Sequence, residues 1–65
     1  MKKVSNIIPY YIKQLSGIVH EREIISWAYI SIDFLLGYNR SDCIIHSDKD
    51  ITSEVSDRIK EIIAD

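Results

Sequence analysis

The chain has 65 residues, of which ten are acidic and eight are basic, and its net charge is −2 at pH 7. This length allows one small domain and excludes a complete Rossmann-type enzyme, a kinase or any two-domain protein. A slightly acidic chain with scattered Lys and Arg argues against nucleic acid as a direct partner, because phosphate binding normally needs a basic face.

The first apolar pattern predicts a helix over 6–16. Its apolar residues recur at helical spacing: Ile8, Ile12, Leu15 and Val19. Ser5 or Asn6 is placed to cap its start. Pro9 falls in the first turn, where a missing N–H is tolerated, and Gly17 can end the helix in the left-handed conformation.

The second pattern predicts a helix over 22–36, with His20 at the capping position and Gly37 at its end. Apolar residues nearly encircle it: Ile24, Ile25, Trp27, Ala28, Tyr29, Ile30, Ile32, Phe34, Leu35 and Leu36. A helix that is apolar almost all round belongs in the middle of a bundle. We therefore expect this helix to be central, with Trp27 and Tyr29 in the core.

Two shorter patterns predict helices over 41–46 and 52–64. Asn39 or Ser41 can cap the third helix, and Thr52 or Ser53 the fourth. The fourth helix has an apolar stripe and a polar face: Val55, Ile59, Ile62 and Ile63 against Ser56, Asp57, Lys60 and Glu61. Short connections favour antiparallel packing, so the chain predicts one all-α domain of about four helices over 1–65.

Candidate chemistry is sparse. Cys43 and His46 have C-x-x-H spacing and share a helix face, but two ligands do not make a structural zinc site. Cys43 as a nucleophile would need a neighbouring base and a third orienting group, and none is evident. Asp48 and Asp50 begin like a calcium loop without its Gly and final Glu, so capping and turn formation explain them better. No Gly-rich loop is present. We predict no catalytic residue, no cofactor and no metal in this chain.

The compartment follows from the single cysteine and from the absence of a leader pattern. One cysteine excludes an intramolecular disulfide and suits a reducing compartment. No apolar run has the length of a signal-peptide core or a membrane span, because Ser26, Ser31 and Asp33 interrupt the longest one. We expect a cytoplasmic protein with no membrane partner.

Residue patterns alone predict a helical binding module. Tyr10, Tyr11 and Tyr38 are expected to be partly exposed, which is typical of a protein contact. A self-associating module is one alternative, because the chain is rich in apolar residues for its size. A helix-turn-helix DNA binder is another, but Arg58 and Lys60 are outnumbered by acidic residues on the last helix.

The order of features from Glu21 onward resembles a known family. Glu21-Arg22-Glu23-Ile24 opens a helix that ends Phe34-Leu35-Leu36-Gly37; Arg40-Ser41-Asp42, Ile44-Ile45, a polar turn and Ile51-Thr52-Ser53-Glu54 follow. This order is similar to the N-terminal domain of the release factor glutamine methyltransferases, the HemK/PrmC family, and looks most like its Bacteroidetes members. The match covers about 20–64.

The resemblance implies a fragment of a longer methyltransferase whose catalytic domain is absent here. The family's catalytic domain binds S-adenosylmethionine and methylates the glutamine of the Gly-Gly-Gln loop in peptide chain release factors. Its Asn-Pro-Pro-Tyr motif and cofactor loop do not occur in these 65 residues. The fragment is then not itself an enzyme; it is a docking domain whose partners are the release factor and the parent's catalytic domain.

Four residues in this match are candidate partner contacts or family-motif positions: Gly37, Tyr38, Arg40 and Asp42. A local explanation competes for two of them. Asp42 lies in the first turn of the third helix, where it can interact with Arg40 or with the helix dipole. We favour this local interpretation over direct contact with a release factor.

Overall fold

The computed structural model of the protein describes residues 1–64. Its elements are a 3₁₀ turn (Val4–Asn6) and four α-helices: α1 (Ile7–Leu15), α2 (Glu21–Leu36), α3 (Arg40–Ile45) and α4 (Ser53–Ala64). The all-α architecture is confirmed, and each helix begins and ends within one residue of the predicted bounds. The remaining residue, Asp65, lies outside the described part of the chain.

The start of the chain differs from the expected helix cap. Asn6 has helical backbone angles and does not cap α1; its side-chain Oδ1 accepts the backbone N–H of Lys3 at 2.9 Å. This bond closes the 3₁₀ turn before α1. Pro9 is the third residue of α1, where its missing N–H breaks no intrahelical bond.

Backbone hydrogen bonds join the N-terminal residues to the loop between α3 and α4. Val4 donates its N–H to the Lys49 carbonyl at 3.0 Å, and Ile51 donates to the Lys2 carbonyl at 2.8 Å. The Lys3 ammonium adds an ion pair with Asp50 at 3.4 Å. Asp50 therefore helps to fasten the chain start against this loop, a pairing that helical periodicity does not predict.

The predicted helix ends are largely confirmed. Gly37 follows α2 at φ +70°, and its N–H donates to the Asp33 carbonyl at 2.8 Å. Gly17 also has positive φ, at +86°, in the turn after α1. At the start of α4, the hydroxyl of Thr52 accepts the Val55 N–H at 3.2 Å. These are ordinary left-handed and hydroxyl caps.

The core forms where α1 packs against both α2 and α4, while the 3₁₀ turn packs against α3. The buried apolar side chains are Val4, Ile7, Tyr11, Ile24, Ala28, Ile32, Cys43 and Ile59. Tyr11, expected to be partly exposed, is only 1% exposed. Ser56 is buried, whereas we expected it to face water. The central helix is therefore α1.

The prediction that α2 is buried all round, with Trp27 in the core, is wrong. Full burial is confined to the face carrying Ile24, Ala28, Ser31 and Ile32, and α1 is packed against α2. Within residues 1–64, no element packs over the side of α2 that carries Trp27, Ile30 and Phe34. Its apolar residues on that side face solvent.

Candidate interaction surface

The uncovered side of α2 carries three large apolar residues, which we name the α2 stripe. Trp27, Ile30 and Phe34 are 47%, 66% and 77% exposed. Their spacing of i, i+3 and i+7 places them on one helix face. A single exposed apolar residue is ordinary, but a contiguous row of them marks an interaction surface.

An apolar groove runs beside the α2 stripe, between α2, the end of α1 and the end of α4. It encloses about 570 Å³. Its lining residues are Tyr11, Leu15, Ile18, Val19, Trp27, Ile30, Ser31, Ile62, Ile63 and Ala64. Ile18 and Ile62, 78% and 45% exposed, form part of its rim and extend the apolar surface of the stripe.

The floor of the apolar groove contains a buried phenol. No atom of residues 1–64 meets hydrogen-bond geometry with the Tyr11 hydroxyl. The neighbouring Ser31 hydroxyl donates to the Trp27 carbonyl at 2.9 Å. Burial raises the pKa of Tyr11 above its ordinary 10.0, and the interaction with Ser31 offsets part of this rise. The phenol is therefore held in its neutral form.

A second, more polar groove lies on the other side of Ile30 and encloses about 380 Å³. We name it the polar groove; its lining residues are Ser26, Tyr29, Ile30, Asp33, Tyr38, Asn39 and Arg40. Two of the sequence-predicted positions, Tyr38 and Arg40, thus lie on one surface. Ile30 lines both grooves, so the two form a continuous surface with an apolar and a polar half.

Arg40 is oriented by an aromatic ring and not by a carboxylate. Its guanidinium carbon lies 4.4 Å from the centroid of the Tyr29 ring, a cation–π contact. Lys3–Asp50 is the sole ion pair within residues 1–64, so neither Arg40 nor the exposed Asp33 is neutralised by a neighbour there. The polar groove thus presents one charge of each sign.

Gly37 and Asp42 act locally. The Asp42 N–H donates to the Asn39 side chain at 2.8 Å, and the Asn39 N–H donates back to the Asp42 carboxylate at 3.0 Å. This reciprocal capping box fixes the start of α3. Gly37 supplies the left-handed residue that ends α2. Asp42 thus acts at the start of α3 through Asn39, and of the two local interactions considered for it, the pairing with Arg40 is not formed.

The C-x-x-H pair has packing roles. Cys43 is buried, and burial raises the pKa of its thiol, with the charge of Asp42 raising it further. A raised pKa is the opposite of what activates a nucleophilic cysteine. The His46 ring stacks on Tyr38 with centroids 5.0 Å apart. Between Met1 and Ala64, no three His, Cys, Asp or Glu side chains cluster as a metal site would require.

Sequence reasoning found Tyr38 and Arg40 but missed the apolar half of this surface. The apolar pattern predicts Trp27 in the core, and it does not distinguish Ile18, Ile30, Phe34 and Ile62 as exposed. The available signal was the width of the apolar arc on α2, which exceeds what one neighbouring helix covers.

Within the part of the chain described, no helix is both long and apolar enough to span a bilayer.

Comparison of the chain with known protein families, with characterised proteins and with solved structures gives no match. Any functional conclusion therefore rests on the residues and on the surface just described. The surface combines an exposed apolar row, a groove beside it and an arginine held by a ring, and apolar, aromatic and Arg side chains are the types enriched at protein interfaces.

Proposed function

We propose that this chain is the substrate-docking domain of a release factor glutamine methyltransferase of the HemK/PrmC type. The ordered match from Glu21 to Ile63 supports this. Its landmarks coincide with element boundaries: Gly37 follows α2, Arg40 begins α3 and Thr52 precedes α4. A fold in which the motif residues delimit helices is what such a match requires.

The physical case for a docking domain lies in the substrate. A glutamine in a short, flexible Gly-Gly-Gln loop offers few atoms to recognise. Binding energy from a remote surface of the release factor must therefore hold the loop in position for methyl transfer. In the parent enzyme, S-adenosylmethionine would bind the catalytic domain, and the cytoplasmic docking domain would contribute affinity and orientation.

The observation that carries the proposal is the presentation of Arg40 at the polar groove. Its guanidinium lies over the Tyr29 ring, and Arg40 lines this groove together with Tyr38 and with Ile30 of the α2 stripe. Arg and aromatic residues dominate the energetics of protein interfaces. A guanidinium already held by a ring loses less conformational freedom on binding. We assign Arg40 and Tyr38 as docking contacts, and Gly37 and Asp42 as residues that shape the backbone beneath them.

The test compares the full-length methyltransferase with a version lacking residues 1–65. Two substrates are used: the intact release factor and a short peptide that contains the Gly-Gly-Gln loop. We expect kcat/KM for the intact factor to fall at least about tenfold, because remote binding is lost, and kcat/KM for the peptide to stay the same. An unchanged kcat/KM for the intact factor would contradict a docking role.

Arg40→Ala in the full-length enzyme tests the assigned contact. Arg58→Ala is the matched control, because Arg58 is an exposed arginine on α4, outside the residues that line the two grooves. We expect Arg40→Ala to raise KM for the release factor about tenfold, the loss typical of one interface arginine. Equal KM values for the two variants would remove Arg40 from the docking surface.

A free-standing dimerisation module is the second candidate function. The exposure of Trp27, Ile30 and Phe34 favours it, because exposed apolar patches often mediate self-association. The reading frame beyond codon 65 separates the two functions. An Asn-Pro-Pro-Tyr motif and a Gly-rich cofactor loop downstream would support the docking domain, whereas a stop codon would support the free-standing module.

A further inference from the structure

We propose that a basic groove at the start of the chain binds an acidic peptide segment of a partner protein. The groove is formed by the residues before α1 and by α1 itself, and it encloses about 630 Å³. We name it the lysine groove, because its lining includes Lys2, Lys3 and Lys13. None of its lining residues lines the apolar groove or the polar groove, so this site is independent of the proposed docking function.

The positive charge of the lysine groove originates in an uneven distribution of charge along the chain. Residues 1–20 contain three Lys and no Asp or Glu, whereas residues 21–65 contain ten acidic and five basic residues. A segment of net positive charge thus belongs to a chain whose net charge is −2. Such an asymmetry between two parts of a chain indicates a site for a charged partner, and the net charge of the whole chain conceals it.

The fold brings the three lysines to one groove, and no Asp or Glu of residues 1–64 lines that groove. Lys3–Asp50 is the sole ion pair in this part of the chain, so Lys2 and Lys13 have no carboxylate partner there. Lys13 is also the one charged residue of α1, so no acidic residue lies one turn away from it on its own helix. A groove lined by charges of one sign concentrates the electrostatic potential and attracts groups of the opposite sign.

Hydrogen bonds within the lysine groove leave donors available for a ligand. Asn6 Oδ1 accepts the backbone N–H of Lys2 at 3.3 Å and that of Lys3 at 2.9 Å, so the acceptor of this amide is occupied and its N–H groups are available. The Lys3 ammonium donates to the Asp48 carbonyl at 3.0 Å and to Asp50 Oδ1 at 3.4 Å. These two bonds hold the ammonium in place and leave its third N–H for a ligand. An ionised carboxylate is an acceptor only, and it therefore matches these groups.

The other lining residues favour a peptide over a nucleic acid. Met1, Pro9 and Tyr10 complete the groove, and Tyr10 is partly buried against the core. Apolar and aromatic surface beside the ammonium groups can pack against the side chains of a peptide, and Tyr and Met are enriched at protein interfaces. A nucleic-acid strand has a phosphate at every nucleotide and needs an extended basic face. Three ammonium groups, one of them already paired with Asp50, suit the few carboxylates of a short acidic segment.

Titration of the isotope-labelled 65-residue chain with the blocked peptide Asp-Glu-Phe-Glu-Asp, followed by NMR, tests the site. We expect saturable shifts of the backbone amides of Lys2, Lys3, Asn6, Tyr10 and Lys13, with a dissociation constant of about 1 mM or below at about 20 mM NaCl. Salt should weaken the binding severalfold by about 200 mM NaCl, because it screens exposed charges. The uncharged peptide Asn-Gln-Phe-Gln-Asn is the control and should cause no saturable shift. Absence of saturable shifts with the acidic peptide, or shifts confined to the polar groove, would overturn the proposal.

Two exposed lysines on different helices provide a matched pair of variants. Lys13→Glu reverses a charge in the lysine groove, and we expect it to raise the dissociation constant of the acidic peptide on the order of tenfold. Lys60→Glu makes the same change in net charge on α4, at an exposed residue that lines none of the three grooves, and should leave the dissociation constant within about twofold. Lys2→Glu lies before the first helix and provides a second groove variant. Circular dichroism of all three variants checks the fold. Equal dissociation constants for the groove variants and Lys60→Glu would overturn the proposal.

Two further probes distinguish a peptide site from a general site for polyanions. The peptide Asp-Glu-Gly-Glu-Asp has the same charge as the first peptide without its aromatic ring, and we expect it to bind severalfold more weakly because it loses the packing against the apolar part of the groove. Single-stranded oligothymidine of about ten nucleotides carries more negative charge and should still bind more weakly than the first peptide at about 100 mM NaCl. Tighter binding of the oligonucleotide would overturn the assignment to a protein partner and make nucleic acid the ligand of the lysine groove.

Discussion

The guanidinium carbon of Arg40 lies 4.4 Å from the centroid of the Tyr29 ring, so the first residue of α3 is fixed to the middle of α2. The contact spans the short connection after Gly37 and joins two helices with a charge that has no carboxylate partner in the described chain. One contact thus both stabilises the α2–α3 corner and orients Arg40 toward the polar groove.

We expect Arg40→Ala and Tyr29→Leu to be energetically coupled. The cation–π contact contributes about 0.5–1 kcal/mol at an exposed site, so the double variant should be less destabilised than the sum of the single variants by about that amount. Urea denaturation followed by circular dichroism gives the four free energies of unfolding. Strictly additive losses would show that the ring and the guanidinium do not interact in solution.

Removing either half of the capping box should destabilise the fold. Asn39→Ala and Asp42→Ala each delete a side chain that accepts a backbone N–H at the start of α3, which corresponds to about 1 kcal/mol. Ser41→Ala is the control, because Ser41 is exposed and accepts neither bond. Its effect should stay within about 0.5 kcal/mol. Comparable urea midpoints for Asn39→Ala and Ser41→Ala would contradict the assigned cap.

Tyr11→Phe should leave the free energy of unfolding unchanged or increase it slightly at pH 7. The variant keeps the buried ring and removes a hydroxyl that has no hydrogen-bond partner within residues 1–64. Burying such a hydroxyl costs the folded state about 1–3 kcal/mol of desolvation, and the variant avoids this cost. A loss greater than about 1 kcal/mol would instead show that Ser31 hydrogen-bonds to the phenol in solution.

Tyr11→Phe should also differ from the wild type in how its free energy of unfolding changes at alkaline pH. Burial raises the folded-state pKa of Tyr11, so folding favours the protonated phenol. The contribution of this pKa shift to the free energy of unfolding is fully present below the unfolded-state pKa and is lost as the pH rises through the folded-state pKa. Above pH 10.0, the ordinary value, wild type should lose stability faster than Tyr11→Phe. Parallel urea midpoints of the two proteins across that range would contradict the raised pKa.

Gly37→Ala should destabilise the protein through backbone conformation alone. A methyl group at position 37 meets no atom within 4 Å, but the residue has φ +70°. The left-handed conformation is unfavourable for Ala by about 1–2 kcal/mol, whereas Asn tolerates it better. We therefore expect the thermal midpoint to be highest for the wild type, lower for Gly37→Asn and lowest for Gly37→Ala. D-alanine at this position, introduced by chemical synthesis, should restore stability because its preferred φ is positive.

Local signals in the sequence determined the helices. Periodicity placed all four within one residue, and Gly37 and Asn39 marked the end of α2 and the start of α3 because capping depends on neighbouring backbone atoms only. Asn6 is the exception among the caps. Its side chain closes a 3₁₀ turn, since the chain before α1 is held by the distant loop around Lys49.

The candidate surface depended on packing between distant segments. The position of Arg40 in the motif was visible in the sequence, but its contact with Tyr29 required the angle between α2 and α3. The exposure of Phe34 likewise depended on which faces of α2 are covered by other segments. A helical pattern shows which faces are apolar, and it does not show how many of those faces a neighbour will cover.

The sequence by itself therefore determined the fold class, the four helices and most of their ends, because propensity and capping act over a few residues. The tertiary structure decided which helix is central and which apolar residues remain outside. Burial of Tyr11 and exposure of Trp27 both follow from α1, and not α2, lying between its neighbours. In a domain with four short helices, the apolar surface exceeds what the helices can cover, and only the packed arrangement selects the part that stays exposed.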